Sequence, residues 1–356
     1  MGALNGGGDD MGVEERISRA RARQHGGAVK SFILFLAGLA FLASLSLGAG
    51  GYLAYREANN PGPADAATIV MLKPGSAVST IAEELVDANA IRYPELFTLA
   101  VRLRGVQNNL KAGEYEIPRR ASVMQIIDIL IEGKSILHYV TAPEGLTTAQ
   151  ILRIVAAEEI LTGEVTVEPG EGQLLPETYA YTRGETRDEV IRRMMKAQDA
   201  FIDQVWPDRA IELPFSTPEE ALILASIVEK ETGVAVERER IASVFVNRLR
   251  RNMRLESDPT IIYGLTQGEP LGRGLRQSEL RGETPYNTYV IRGLPPTPIG
   301  NPGKAAITAV LNPAQTEDLF FVADGTGGHA FAATLRDHER NVAAWRRIER
   351  ERRQDG

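Results

Sequence analysis

The sequence predicts an α+β chain in three parts: one N-terminal transmembrane helix, a small βααβ subdomain, and a larger mixed α+β domain. Three observations carry this. Ser31–Tyr55 contains no charged residue. A strand, a Gly turn and an amphipathic helix follow one another twice, from Thr68 and again from His138. The segment ALILASIVEKETG, Ala221–Gly233, is apolar for two turns and then ends in two glutamates. A length of 356 residues suits two or more folded units, and 43% hydrophobic with 24% charged residues allows packed cores. The net charge of −7 gives no general attraction to nucleic acid. The chain has no cysteine, which excludes disulfides, thiol nucleophiles and Cys-bound zinc and leaves the redox compartment open.

Taken in order, residues 1–30 are Gly-rich and charged and are expected to be a disordered cytoplasmic tail. The apolar run 31–55, as a helix, spans about 37 Å, against a bilayer core of about 30 Å. Arg16, Arg19, Arg21, Arg23 and Lys30 precede it, so the positive-inside rule puts the N-terminus in the cytoplasm and the bulk of the chain outside. A cleaved signal peptide is the alternative, but its apolar region would be only about 7–15 residues long. Residues 56–67, with Asn59, Asn60, Pro61 and Gly62, read as a linker.

Residues 68–135 form the expected small domain. A strand begins at Thr68, and the following helix has Val78, Ile81, Ala82 and Leu85 on one face. ELFTLAVRLRG gives a second helix, and LKAGEYEIP a strand with Tyr115 and Ile117 alternating against Glu114 and Glu116. SVMQIIDILIEGK is a further helix ending at Gly133. HYVTAPEGLTTAQILRIVAAEEI echoes the first strand, turn and helix at an offset of 70, with Gly145 matching Gly75 and Ile151 matching Ile81. The βααβ order around 69–117 resembles a LysM module, a glycan-binding unit; a plain scaffold domain has the same pattern. Residues 136–185 are expected to be a connecting β-containing segment, and 186–350 a larger domain, densest in motif-like sequence from about Ser216.

The apolar helix has a well-specified start. Thr217 is a natural N-cap, Pro218 suits the first helical position, and Glu220 completes capping-box spacing. Between Ala221 and Val228 only Ser226 is polar, so the helix belongs in the core. Glu229 and Glu231 diverge by about 200° on a helix. One can face a cleft while the other takes a structural partner such as Arg240 or Arg248. Acids at a helix C-terminus oppose the dipole, which points to a use for them. Burial would raise a carboxyl pKa and make a proton donor. Asp258-Pro259-Thr260 starts a new element, TPYNTYVIRGLPPTPIGNPG (Thr284–Gly303) reads as too stiff and polar for the core, with amphipathic rings that suit sugar or peptide contact, and His329 follows a Gly-rich turn. Four histidines, no HExxH and no GxSxG imply neither a metal nor a serine nucleophile.

ASIVEKET, VFVNRLRRNMRLESDPTIIYG, TPYNTY, GLPPTPIGNPG and FVADGTGGHAF, in this order, resemble the endolytic murein transglycosylases, the MltG or YceG-like family. The resemblance covers roughly residues 69–350. It implies an anchored enzyme with a LysM-like subdomain and a lytic transglycosylase domain. Such an enzyme cuts peptidoglycan strands internally between N-acetylmuramic acid and N-acetylglucosamine and leaves 1,6-anhydro ends. It also implies Glu231 as the catalytic acid, with Glu229 as fallback, because lysozyme-like lytic enzymes place the acid at a helix end before a small hydroxyl residue, as in Glu231-Thr232. Asn287, Tyr289, His329 and Asp258 are the expected saccharide-binding residues, with no cofactor. Expected partners are glycan strands, the membrane and peptidoglycan synthases. A hydrolytic muramidase and a non-catalytic anchored scaffold are the competing readings.

Overall fold

The computed structural model describes residues 11–354. Helix α1 runs Met11–Asn59, and its stretch Phe32–Asn59, which contains an 18-residue window with a mean hydropathy of 2.2, is long and apolar enough to cross a membrane. Residues 11–30 are therefore helical where disorder was expected, and residues 1–10 lie outside the described residues. The helix also runs past the expected end at residue 55. Pro61 limits it: proline offers no N–H and disfavours helical backbone at the residue before it. The remaining linker is not loose. Ala58 and Ala64 are buried, the Gly62 N–H donates to Arg120 O, and a Cβ on Gly62 would meet Ala121 O at 2.4 Å.

The chain divides into two compact units, Met1–Ile136 and Leu137–Gly356. In the first, β1 (Thr68–Leu72) is followed by α2 (Val78–Asp87), α3 (Pro94–Arg104), β2 (Gly113–Ile117) and α4 (Val123–Glu132). The strands pair antiparallel, with Val70 opposite Tyr115. Period-2 alternation sends Val70, Leu72, Tyr115 and Ile117 into one core, where they meet Ile81, Leu85, Phe97, Val101, Ile126 and Leu130. Glu114 departs from the alternation, since it is buried too. Ser122 and Gln125 form a capping box on α4, and Gly133 closes that helix in the left-handed region.

The second unit opens with β3 (His138–Thr141) and α5 (Thr148–Ala156), each starting 70 residues after β1 and α2. Gly75 and Gly145 have φ of 79° and 75°, the left-handed turn that glycine adopts without strain. β3 pairs antiparallel with β4 (Thr178–Tyr181). Then come α6 (Arg187–Val205), α7 (Pro218–Glu231), α8 (Arg238–Arg250), α9 (Asp258–Thr266), the short α10 (Gln277–Arg281) and α11 (Lys304–Leu311). A hairpin of β5 (Phe320–Ala323) and β6 (His329–Ala332) and the long α12 (Leu335–Gln354) complete it. Residues 136–185 were expected to connect two domains. Instead Val140, Ile151, Leu174 and Tyr181 share a core with Val190, Ile191 and Met194 of α6, so from Leu137 onward they belong to the second unit.

Helix α7 is the spine of this unit. The Thr217–Glu220 capping box forms, and Ala221, Leu224, Ala225, Ile227 and Val228 are fully buried against α8 and α11. Ser226 is buried as well; its hydroxyl donates to Ile223 O and accepts the Ile299 N–H. That bond holds the 284–303 segment, which is not an exposed stiff loop. Asn287, Thr288, Ile299 and Asn301 are at most 1% exposed. Asn301 is a rivet: its amide donates to Leu146 O and Thr148 Oγ1, and its side-chain carbonyl accepts the Leu174 N–H.

Candidate active site

Glu231 is the last residue of α7 and lines a cleft of about 390 Å³, within the size range of small-molecule sites. Arg248, Leu255, Asp258, Tyr289, Phe321, Val322 and His338 share its walls. Burial pushes the Glu231 carboxyl above the usual carboxylate range, the Ser257 hydrogen bond pulls it back, and the Asp258 charge adds to the rise. The Ser257 hydroxyl donates to Glu231 Oε1 over 2.5 Å. Ser257 occupies the N-cap position of α9, yet its side chain makes no cap bond. Its hydroxyl serves the acid instead. Ser257 is itself held: its N–H donates to Thr288 Oγ1, and its carbonyl accepts from Thr260 Oγ1.

The hydroxyl expected beside the acid was that of Thr232. Thr232 is buried, and its Oγ1 accepts the Val234 N–H, turning the chain away from α7. Nothing in the spacing of Ser257, 26 residues downstream, marks it as the partner; only its place before Asp258-Pro259 hints at a helix start.

Glu229 faces elsewhere. Its Oε2 accepts the N–H of Gly303, the N-cap of α11, which has no side-chain cap of its own. A carboxylate there suits the positive end of that helix. Burial raises the Glu229 pKa, the Gly303 N–H lowers it and nearby Glu144 raises it. Neither arginine considered as a partner for these glutamates pairs with Glu229. Arg240 pairs with Asp318 (2.7 Å) and Arg248 with Glu256 (3.1 Å).

Asp258 and Tyr289 do meet in the cleft, where the Tyr289 hydroxyl donates to Asp258 Oδ1 (2.8 Å). Burial and the Asp258 hydrogen bond raise the phenol pKa, so this hydroxyl remains a donor. Asn287, expected on the groove wall, is fully buried behind it. Its amide donates to the carbonyls of Glu279, Leu280 and Gly282, and its Oδ1 accepts the Tyr289 N–H. It positions Tyr289 and has no free group for a sugar. His329 lies outside the cleft lining. Its Nδ1 and backbone N–H both contact the Glu237 carboxylate, at 2.7 and 2.9 Å, and its charge acts on Glu231 at longer range. Arg248 is buried in the cleft floor, its Nε donating to Leu319 O and its Nη1 to Leu255 O. Among the described residues no group of three or more His, Asp or Glu side chains is placed to hold a metal ion.

One acid with a raised pKa, held by a hydroxyl in an open polar cleft at the tip of a buried helix, is an arrangement chemically suited to proton donation, on an α+β scaffold. The chain belongs to the YceG-like family, whose family model matches residues 70–344. An endolytic murein transglycosylase of Streptococcus pneumoniae is 31% identical, aligned over 88% of this chain and 65% of its own length. One of Bacillus subtilis is 28% identical, over 82% of this chain and 89% of its own. The chain thus spans just under two thirds of the streptococcal relative. A solved yceG-like protein of Listeria monocytogenes aligns over 78% of this chain and 99% of its own, with 29% identity and a TM-score of 0.47.

Proposed function

We propose that this chain is an endolytic peptidoglycan lytic transglycosylase whose single catalytic acid is Glu231. The observation that carries the reading is the Glu231 carboxyl itself, raised in pKa by burial yet lining an open cleft, in a chain whose relatives bear that name. The protonated acid donates to the glycosidic oxygen while the C1–O bond breaks through an oxocarbenium-like state. The resulting carboxylate then takes the proton of the muramic acid C6 hydroxyl as that oxygen attacks C1. The ring closes to a 1,6-anhydro end, Glu231 regains its proton, and no water is consumed. Ser257 orients the carboxyl and stabilises its ionised form in mid-reaction. Asp258, fixed by Tyr289, offers a carboxylate to sugar hydroxyls.

The apolar part of α1 serves in this reading as an uncleaved membrane anchor with its N-terminus in the cytoplasm. The first unit, with its β1-α2-α3-β2 order, serves as a LysM-like glycan grip, and strand termination beside a peptidoglycan synthase is the cellular setting. The deciding experiment is digestion of purified sacculi in ¹⁸O-labelled water. Transglycosylation yields ends lighter by one water and free of ¹⁸O; reducing ends carrying ¹⁸O would make the protein a muramidase, and no new ends a scaffold.

A further inference from the structure

One wall of the cleft is a side chain that the reaction above does not use. His338 lies near the start of α12 and lines the same cavity as Glu231. Its ring stacks on Phe320, with centroids 5.0 Å apart and planes 21° from parallel, which fixes its plane. Its Nδ1 is buried and meets no hydrogen-bond partner. Burial, and then the charge of Arg248, lowers its pKa, which favours the neutral ring. A neutral imidazole has one N–H and one bare nitrogen. A buried N–H without an acceptor loses the bond it would make to water. The better tautomer leaves Nδ1 bare and carries the proton on Nε2.

Most of the other side-chain donors in the cleft are already engaged. The Tyr289 hydroxyl is committed to Asp258, and Arg248 Nε and Nη1 to backbone carbonyls and Glu256. Glu256 and Asp258 are acceptors suited to sugar hydroxyls. The cleft therefore has carboxylates for donors, and His338 for a group that can only accept. In an N-acetylhexosamine that group is the acetamido carbonyl. Its methyl also needs an apolar neighbour, and Leu255, Phe321 and Val322 line the same cavity.

We propose that His338 is a substrate-binding residue that donates Nε2–H to the 2-acetamido carbonyl of an N-acetylhexosamine beside the scissile bond, making the site select N-acetylated over de-N-acetylated glycan. This rests on the glycan-cleaving reading of the cleft. The test measures kcat and KM on N-acetylated and chemically de-N-acetylated peptidoglycan glycan for the wild type, His338→Ala and His338→Gln. The wild type should favour the acetylated glycan. His338→Ala should raise KM for it about tenfold, change kcat less than threefold and lose the preference, while His338→Gln, whose amide N–H falls near Nε2, recovers part of it. A wild-type KM in His338→Ala, or a retained preference, overturns the proposal with the catalytic reading intact. If the wild type cleaves neither glycan, the catalytic reading fails, and binding to Glu231→Gln protein decides. Calorimetry with acetylated and de-N-acetylated chitooligosaccharides supports the proposal if the preference disappears on adding His338→Ala, and overturns it if the preference persists or never exists.

Discussion

The two glutamates that end α7 are two residues apart, and the last turn of the helix sends them into different surroundings. Glu229 meets a backbone N–H at the start of α11, a fixed donor that closes a seam between two helices. Glu231 meets a serine hydroxyl in an open cleft. Both carboxyls are raised in pKa by burial. A raised pKa therefore does not by itself tell the two apart. Access does: of the two, only Glu231 lines that cleft, which is why the proposed reaction uses it.

Substitution is the broadest way to break this contrast. Glu231→Gln should reduce glycan cleavage by about 10²–10⁴-fold, the usual contribution of a general acid–base group. Sacculus binding and the circular-dichroism spectrum should not change. Comparable turnover in this variant would move the chemistry to Glu229. Ser257→Ala should come next, with kcat about tenfold lower, since a hydrogen bond to a charged group is worth about 1.5–3 kcal/mol and a tenfold change in rate about 1.4 kcal/mol. Steady-state kinetics on soluble glycan reads this directly.

On the seam side the effect should be on stability. Glu229→Ala removes the acceptor at the α11 N-terminus and should cost about 0.5–2 kcal/mol in a denaturant melt. Cleavage by the folded variant should stay within about threefold of wild type. A catalytic loss larger than the stability loss would show that the two faces are coupled.

The smallest effect is thermal. A glutamate whose folded pKa is raised binds more protons folded than unfolded, so its contribution to stability falls as pH rises from the ordinary carboxyl range through the folded value. Glu231→Gln escapes that loss. Its melting temperature should match wild type in acid and exceed it at neutral pH, and a variant less stable at every pH would contradict the buried-acid description.

Much of this arrangement was legible in the sequence, and what was hidden has a common cause. The start of α7 was readable because capping and apolar periodicity are local: Thr217, Pro218 and Glu220 state it outright. The echo at an offset of 70 was readable because Gly75 and Gly145 mark the same left-handed turn. The burial of Asn287, Thr288 and Asn301 was not, because a polar residue in a loop looks exposed until its hydrogen-bond partners are known. Asn287 finds three carbonyls and Asn301 joins two distant turns. The partner of Glu231 escaped for the same reason: Ser257 is brought to it by tertiary folding, while the adjacent Thr232 turns away. The helical character of residues 11–30 was masked by their glycines and charges, which read as disorder.

The pH dependence of kcat/KM, measured for wild type and Ser257→Ala, tests the proton-donor role of Glu231 most directly. Activity needs the protonated acid, so the alkaline limb should lie above the ordinary glutamate range, and it should move to still higher pH in Ser257→Ala, because the lost hydrogen bond had favoured the ionised form. A limb in the ordinary carboxyl range, or one that stays in place when the serine hydroxyl is removed, would contradict it.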